Sequence, residues 1–195
     1  MAGAPVARDA VDVAGFDGLL ARARDGDPGA LRQLYATYAP AVAGYVRARG
    51  ARDVDDLVSE VFLGVLRGIG GFEGSEAQFR SWLFVIVHRR LQDHRRWHAR
   101  HPEAPLEAVD GHVAPRTERG ADDEALVALG LARVQELCAA LAPDQRDVLL
   151  LRVVADLTVP QVAAILEKSP GAVKQLQRRG LEALRRALRD EAVPF

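Results

Sequence analysis

The chain has 195 residues, enough for one large domain or two small ones, and 49% of them are hydrophobic, which supports packed cores. Its formal net charge of -1 hides a segregation: arginines crowd Arg80 to Arg100 and Arg178 to Arg189, while acids gather at Asp53 to Glu60 and Glu103 to Glu124. A single cysteine, Cys138, excludes an internal disulfide framework, and charges interrupt every apolar stretch, so a cytoplasmic protein with no membrane contact is expected.

In chain order, residues 1–27 read as an extension that is disordered or ordered by a partner, within which Phe16, Leu19 and Leu20 are spaced to begin a short helix that Gly26-Asp27-Pro28-Gly29 ends. From Ala30, the residues Leu31, Leu34, Tyr35, Tyr38, Val42, Tyr45 and Val46 keep one helical face to Gly50, with Pro40 inside the span. The next helix has a clean period: after Asp53 as N-cap, Val54, Leu57, Val58, Val61, Phe62, Val65, Leu66 and Ile69 are assigned to the buried side. Its other side carries Asp55, Asp56, Ser59, Glu60 and Leu63. The helix dipole accounts for acids in a first turn, but it does less for Glu60 and Leu63; a basic partner surface with an apolar spot is the alternative.

The glycine-rich stretch 68–78, with Phe72 and Glu73, reverses the chain. Phe79 to Arg100 then forms a long helix in which Phe79, Leu83, Ile86, Val87 and Leu91 pack inward, while Arg80, Trp82, His88, Arg89, Gln92, Arg95 and Arg96 interleave aromatic and basic groups. Rings among arginines suit unpaired bases and their phosphates, although Trp82 fits a core position equally well. Histidines 88, 94, 98 and 101 invite a metal reading. It is given little weight, since the surrounding arginines repel a cation and no carboxylate pair completes a site; neither metal nor cofactor is expected.

Residues 101–123 lose the hydrophobic period and gain Pro, Gly and acid, as a linker does. Helical pattern returns at Leu126, Leu129, Val134, Leu137 and Leu141, restarts at Pro143-Asp144, and supports a helix-turn-helix over 157–186. There Thr158 and Gln161 have capping-box spacing with Pro160 in the first turn; Glu167-Lys168 makes the turn; Ser169-Pro170 starts a second helix with Val173, Leu176, Gly180 and Leu184 inward. Lys174, Gln175, Gln177, Arg178 and Arg185 face outward. Such a face fits a major groove, where Lys and Arg reach guanine acceptors and Gln binds adenine; an amphipathic pair with a solvated basic face is the plainer reading. No strand pattern of useful length is present. The expected fold is all-α: two small helical bundles, 28–100 and 124–190, on a flexible tether. No nucleophile elbow, phosphate-cradling glycine loop or convergent carboxylates occur, so no catalytic residue is assigned and an enzyme is not expected.

Four segments, DVDDLVSEVFLGVLRG at 53–68, FRSWLFVIVHRRLQDHRR at 79–96, LAPDQRDVLLLRVVADLTVPQVAAIL at 141–166 and SPGAVKQLQRRGLEALRR at 169–186, resemble sigma factors of the sigma-70 family, in the small extracytoplasmic-function class with only the second and fourth sigma domains. The resemblance covers Ala30 to Arg189. It implies that Asp55, Asp56, Ser59, Glu60, Phe62 and Leu63 dock on core RNA polymerase, chiefly its β′ clamp helices with the β subunit as a further contact. It implies that Phe72, Glu73, Arg80, Trp82, His88, Arg89, Gln92, Arg95 and Arg96 handle the −10 promoter element, and that Ser169, Lys174, Gln175, Gln177, Arg178 and Arg179 read the −35 element in duplex DNA. An anti-sigma factor is the implied inhibitor. Where this sequence has Arg89, many relatives have Asn; Asp156 stands where Gly is frequent, and Leu66 where Trp is. A stand-alone helix-turn-helix regulator is the alternative function, one that needs neither the acidic patch at 55–60 nor the basic aromatic helix at 79–96.

Overall fold

A computed structural model of the chain describes residues 13–51, 53–101 and 136–191. The helix α1 spans Val13–Arg24 and buries Phe16, Leu19, Leu20 and Ala23, an i, i+3, i+4, i+7 stripe. Within the extension expected over 1–27, Val13–Arg24 is therefore helical and belongs to the core, while residues 1–12 lie outside the described residues. It ends where Gly26 takes φ +81° and the Asp27 N–H reaches back to Arg22 O at 3.0 Å. Asp27 at once caps α2, Pro28–Ala48, by accepting from the Gly29 N–H at 2.9 Å, with Pro28 at the first helical position.

The helix α3, Val54–Gly68, buries Leu57, Val58, Val61, Phe62 and Val65. Leu66, assigned to that side from the sequence, is 47% exposed. At 100° per residue it lies about 40° round from Phe62, at the rim of the buried stripe and beside Ser59. A short 3-10 turn, Ile69–Gly71, leads to α4, Glu76–Arg100, which begins before Phe79 because Ser75 and Gln78 form a reciprocal capping box. Phe79, Leu83, Phe84, Val87, His88 and Leu91 are its buried residues.

After residues 136–139, which are helical, come α5, Pro143–Val153, α6, Val159–Ile165, and α7, Pro170–Glu191. Gln161 Oε1 accepts from the Thr158 N–H at 2.8 Å, the expected tie at the start of α6. The turn between α6 and α7 has Glu167 at φ +53° and a Lys168 N–H to Ala163 O bond of 3.0 Å, while the Ser169 hydroxyl accepts from the Ala172 N–H at 3.2 Å to start α7. Among the described residues there is no strand, as the all-α expectation requires, and no helix is long and apolar enough to cross a membrane. The linker assigned to 101–123, apart from His101, and the pattern at Leu126, Leu129 and Val134 lie outside the described residues.

The helices α1–α4 and α5–α7 abut. One apolar cluster runs from Phe16 through Tyr45 and Phe84 to Leu151, Val162 and Val173. A buried ion pair joins Arg49, at the end of α2, to Asp147 on α5. Elsewhere along the same junction, Arg80 on α4 pairs with Asp156 at 2.8 Å, and Gln161 Nε2 donates to Ala77 O at 3.1 Å.

Candidate nucleic-acid interface

Three exposed faces carry the chemistry singled out in the sequence. On α7, Lys174, Gln175, Arg178 and Arg179 are all exposed in the first three turns, Gln177 is half-buried, and Arg185, Arg186 and Arg189 continue the basic surface. Their backs are fixed by Val173 and Gly180, both buried. Gly180 permits the approach of α5: a Cβ there would stand 2.8 Å from Leu149 Cδ1. The side-chain row is thus held rigidly, with α6 crossing behind it, as a helix offered to a groove must be.

On α4, Arg89, Arg96 and Arg100 fall at i, i+7 and i+11 and are exposed, with Arg95 exposed beside them and Trp97 48% exposed. Trp97 lies next to this basic row and was not singled out in the sequence. Five other residues of the expected −10 set, Phe72, Arg80, Trp82, His88 and Gln92, are engaged by neighbours within the chain. His88 is only 7% exposed; its Nδ1 lies 3.2 Å from the Tyr45 hydroxyl and its Nε2 meets Gln92. It is a core histidine. Burial, and then the Arg49 charge, push its pKa down to about 4, so the ring is neutral at ordinary pH. Trp82 stacks on Phe72 with centroids 5.1 Å apart, touches Phe79 at 5.7 Å, and lies so close over Gly68 that a Cβ there would meet its Cζ2 at 2.7 Å. The ring therefore closes the glycine-rich loop onto α4 instead of standing free for a base. Arg80 is held between Glu76 and Asp156, each at 2.8 Å. Glu73 is exposed.

On α3, Asp55, Asp56 and Glu60 are exposed, Ser59 is half-exposed with its hydroxyl donating to Asp55 O, and Leu63 and Leu66 are 50% and 47% exposed. Acid and apolar surface share one face, and Leu66 enlarges the apolar part. Phe62 does not belong to it: it is 7% exposed and its ring packs on Tyr35, centroids 4.7 Å apart.

Sigma-70 region 2 matches residues 34–101, and sigma-70 region 4 matches residues 131–184. The ECF RNA polymerase sigma factor ShbA of Streptomyces griseus is 33% identical over 175 residues, covering 86% of this chain and 92% of ShbA. The ECF sigma factor BldN of Streptomyces coelicolor is 33% identical over 178 residues, covering 89% of this chain and 66% of BldN. The chain belongs to the sigma-70 family of RNA polymerase sigma factors, in its extracytoplasmic-function class. A solved sigma factor agrees in fold: CnrH, in complex with the cytosolic domain of CnrY, superposes with a TM-score of 0.62 at 26% identity, over 88% of this chain and 96% of CnrH. In this sigma factor the region 2 match holds α3, α4 and most of α2, and the region 4 match holds α5, α6 and α7 as far as Leu184, while α1 precedes both.

Proposed function

We propose that this chain is a promoter-specificity subunit acting in the cytoplasm: α3 grips core RNA polymerase, α4 handles the −10 element, α7 reads the −35 element, and polymerase supplies the chemistry. The observation that carries the reading is the sorting of surface by helix. An acidic face with an apolar spot on α3 suits a protein partner, and separate basic faces on α4 and α7 suit nucleic acid. Within the −10 set the exposed Arg89, Arg95 and Arg96 bear on the strand's phosphates, with Trp97 as the accessible ring. On α7, Lys174, Gln175 and Arg178 address base edges, while Ser169 and Arg179 position the phosphates. Residues 28–100 and 124–190 are the two working units, joined by the segment 101–123. The solved complex of CnrH with the cytosolic domain of CnrY supports a protein antagonist, an anti-sigma factor, for this chain as well.

Purified chain added to core RNA polymerase should give promoter-dependent transcription. The triple variant Asp55→Lys, Asp56→Lys, Glu60→Lys should fold normally by circular dichroism yet lose core binding and initiation by more than tenfold. Tight binding to duplex DNA with no association with core enzyme would instead identify a stand-alone regulator.

A further inference from the structure

The inner stripe of α4 changes character in its last turns. Phe79, Leu83, Val87 and Leu91 are apolar, and the same stripe then continues as His94 and His98, one turn apart, where α4 passes the start of α3. Asp53, the N-cap of α3, stands opposite. An aspartate there ordinarily accepts a hydrogen bond from its own helix, but this side chain makes no such bond. Its Oδ2 lies 3.8 Å from His94 Nε2 and 3.6 Å from His98 Nε2. Those separations exceed a hydrogen bond. They approach the edge of a tetrahedron of ligands around a zinc-sized ion, about 3.3 Å for bonds of about 2.0 to 2.1 Å. All three ligand atoms lie within 4.8 Å of one another, on half-buried side chains that a small ion could still reach.

We propose that Asp53, His94 and His98 form a binding site for one divalent first-row transition ion of the zinc type, completed by water. Two imidazoles and one carboxylate select such an ion over magnesium or calcium, which prefer all-oxygen shells. Asp56 and Glu60, one and two turns along α3 from Asp53, give the site acidic neighbours. An ion held here staples the start of α3 to the end of α4. It would thereby fix the angle between the two helices and neutralise one end of the acidic α3 face.

The test uses untagged full-length chain stripped with chelator. Zn²⁺ should bind at one equivalent per chain by calorimetry and raise the thermal midpoint. Co²⁺ should give visible ligand-field absorption and quench Trp97, whose ring meets His98 edge-on with centroids 4.9 Å apart. His94→Ala, His98→Ala and Asp53→Asn should each weaken binding at least tenfold, and His101→Ala should leave it unchanged. In the parent, where folding of variants is no concern, Zn²⁺ should shift two imidazole resonances while the His88 signal stays put. The proposal is overturned if the parent shows no Co²⁺ band, or if folded His94→Ala and His98→Ala bind as the parent does. None of these readouts involves polymerase, so failure here leaves the promoter reading intact.

Discussion

His88 sits among arginines, and helical spacing alone does not separate it from them. On α4 it lies at the margin of the buried stripe, where Tyr45 of α2 offers a hydroxyl, a contact 43 positions away in sequence. The consequence is measurable. With the folded pKa near 4 and the unfolded value at 6.5, the unfolded chain takes up the proton first as pH falls. The stability that neutral His88 contributes is complete above about pH 6.5 and drains away down to about pH 4, by about 3 kcal/mol in all. Urea unfolding across that window should show a steeper loss for the parent than for His88→Gln; parallel profiles would remove His88 from the core titration. Asp156 is the opposite case, legible in part. The family resemblance implies that glycine is frequent at its place, and its φ of +52° is a left-handed conformation that glycine takes freely and an aspartate tolerates better than most side chains. That the same carboxylate pairs with Arg80, 76 positions earlier, no local pattern could disclose.

At the scale of elements, the helix-turn-helix was the most readable part of the chain because its signals are local. Thr158 with Gln161 and Ser169 with Ala172 are contacts three residues apart, and each occurs where the spacing placed it. The short α1 is less legible, since Phe16, Leu19 and Leu20 show a face without showing what covers it; Phe79, 5.6 Å from Phe16 between ring centroids, does so. Leu66 is ambiguous in the sequence for a similar reason, an apolar residue on the rim of the buried face, on the side towards Leu63. The packing of α5 on α7 turns on Gly180. By helix propensity alone, Gly180→Ala should stabilise an α-helix by about 1 kcal/mol. The added Cβ would instead meet Leu149 Cδ1 at 2.8 Å and Gln145 Cβ at 3.4 Å, so the variant should lose about 1–3 kcal/mol through overpacking. Denaturant unfolding decides between the signs. Combining it with Leu149→Ala should cost less than the sum of the two single changes, because the smaller side chain makes room for the methyl group.

For the whole molecule, the contact between α1–α4 and α5–α7 bears on how promoter DNA is engaged. Elements named −10 and −35 lie about 25 base pairs apart, or about 85 Å along duplex DNA. The helices proposed to address them here belong to groups that touch through Arg49–Asp147, Arg80–Asp156 and Gln161–Ala77. Working on both elements at once therefore requires these contacts to part, and Arg80 to leave Asp156 if it is to meet DNA. Of these, Arg49–Asp147 is the buried pair. Burial raises the Asp147 pKa, and the Arg49 charge opposes that rise. Removing one partner strands the other charge, a loss of about 3–5 kcal/mol for a buried pair, unless the groups separate and water takes its place. Asp147→Ala should follow the second route: helical content by circular dichroism is retained, while small-angle scattering shows a larger radius of gyration than the parent's. With core polymerase present, the same variant should reach half-maximal initiation at a lower concentration, because part of the opening has already been done. If the variant scatters as the parent does and titrates identically, the Arg49–Asp147 pair does not hold the two groups together.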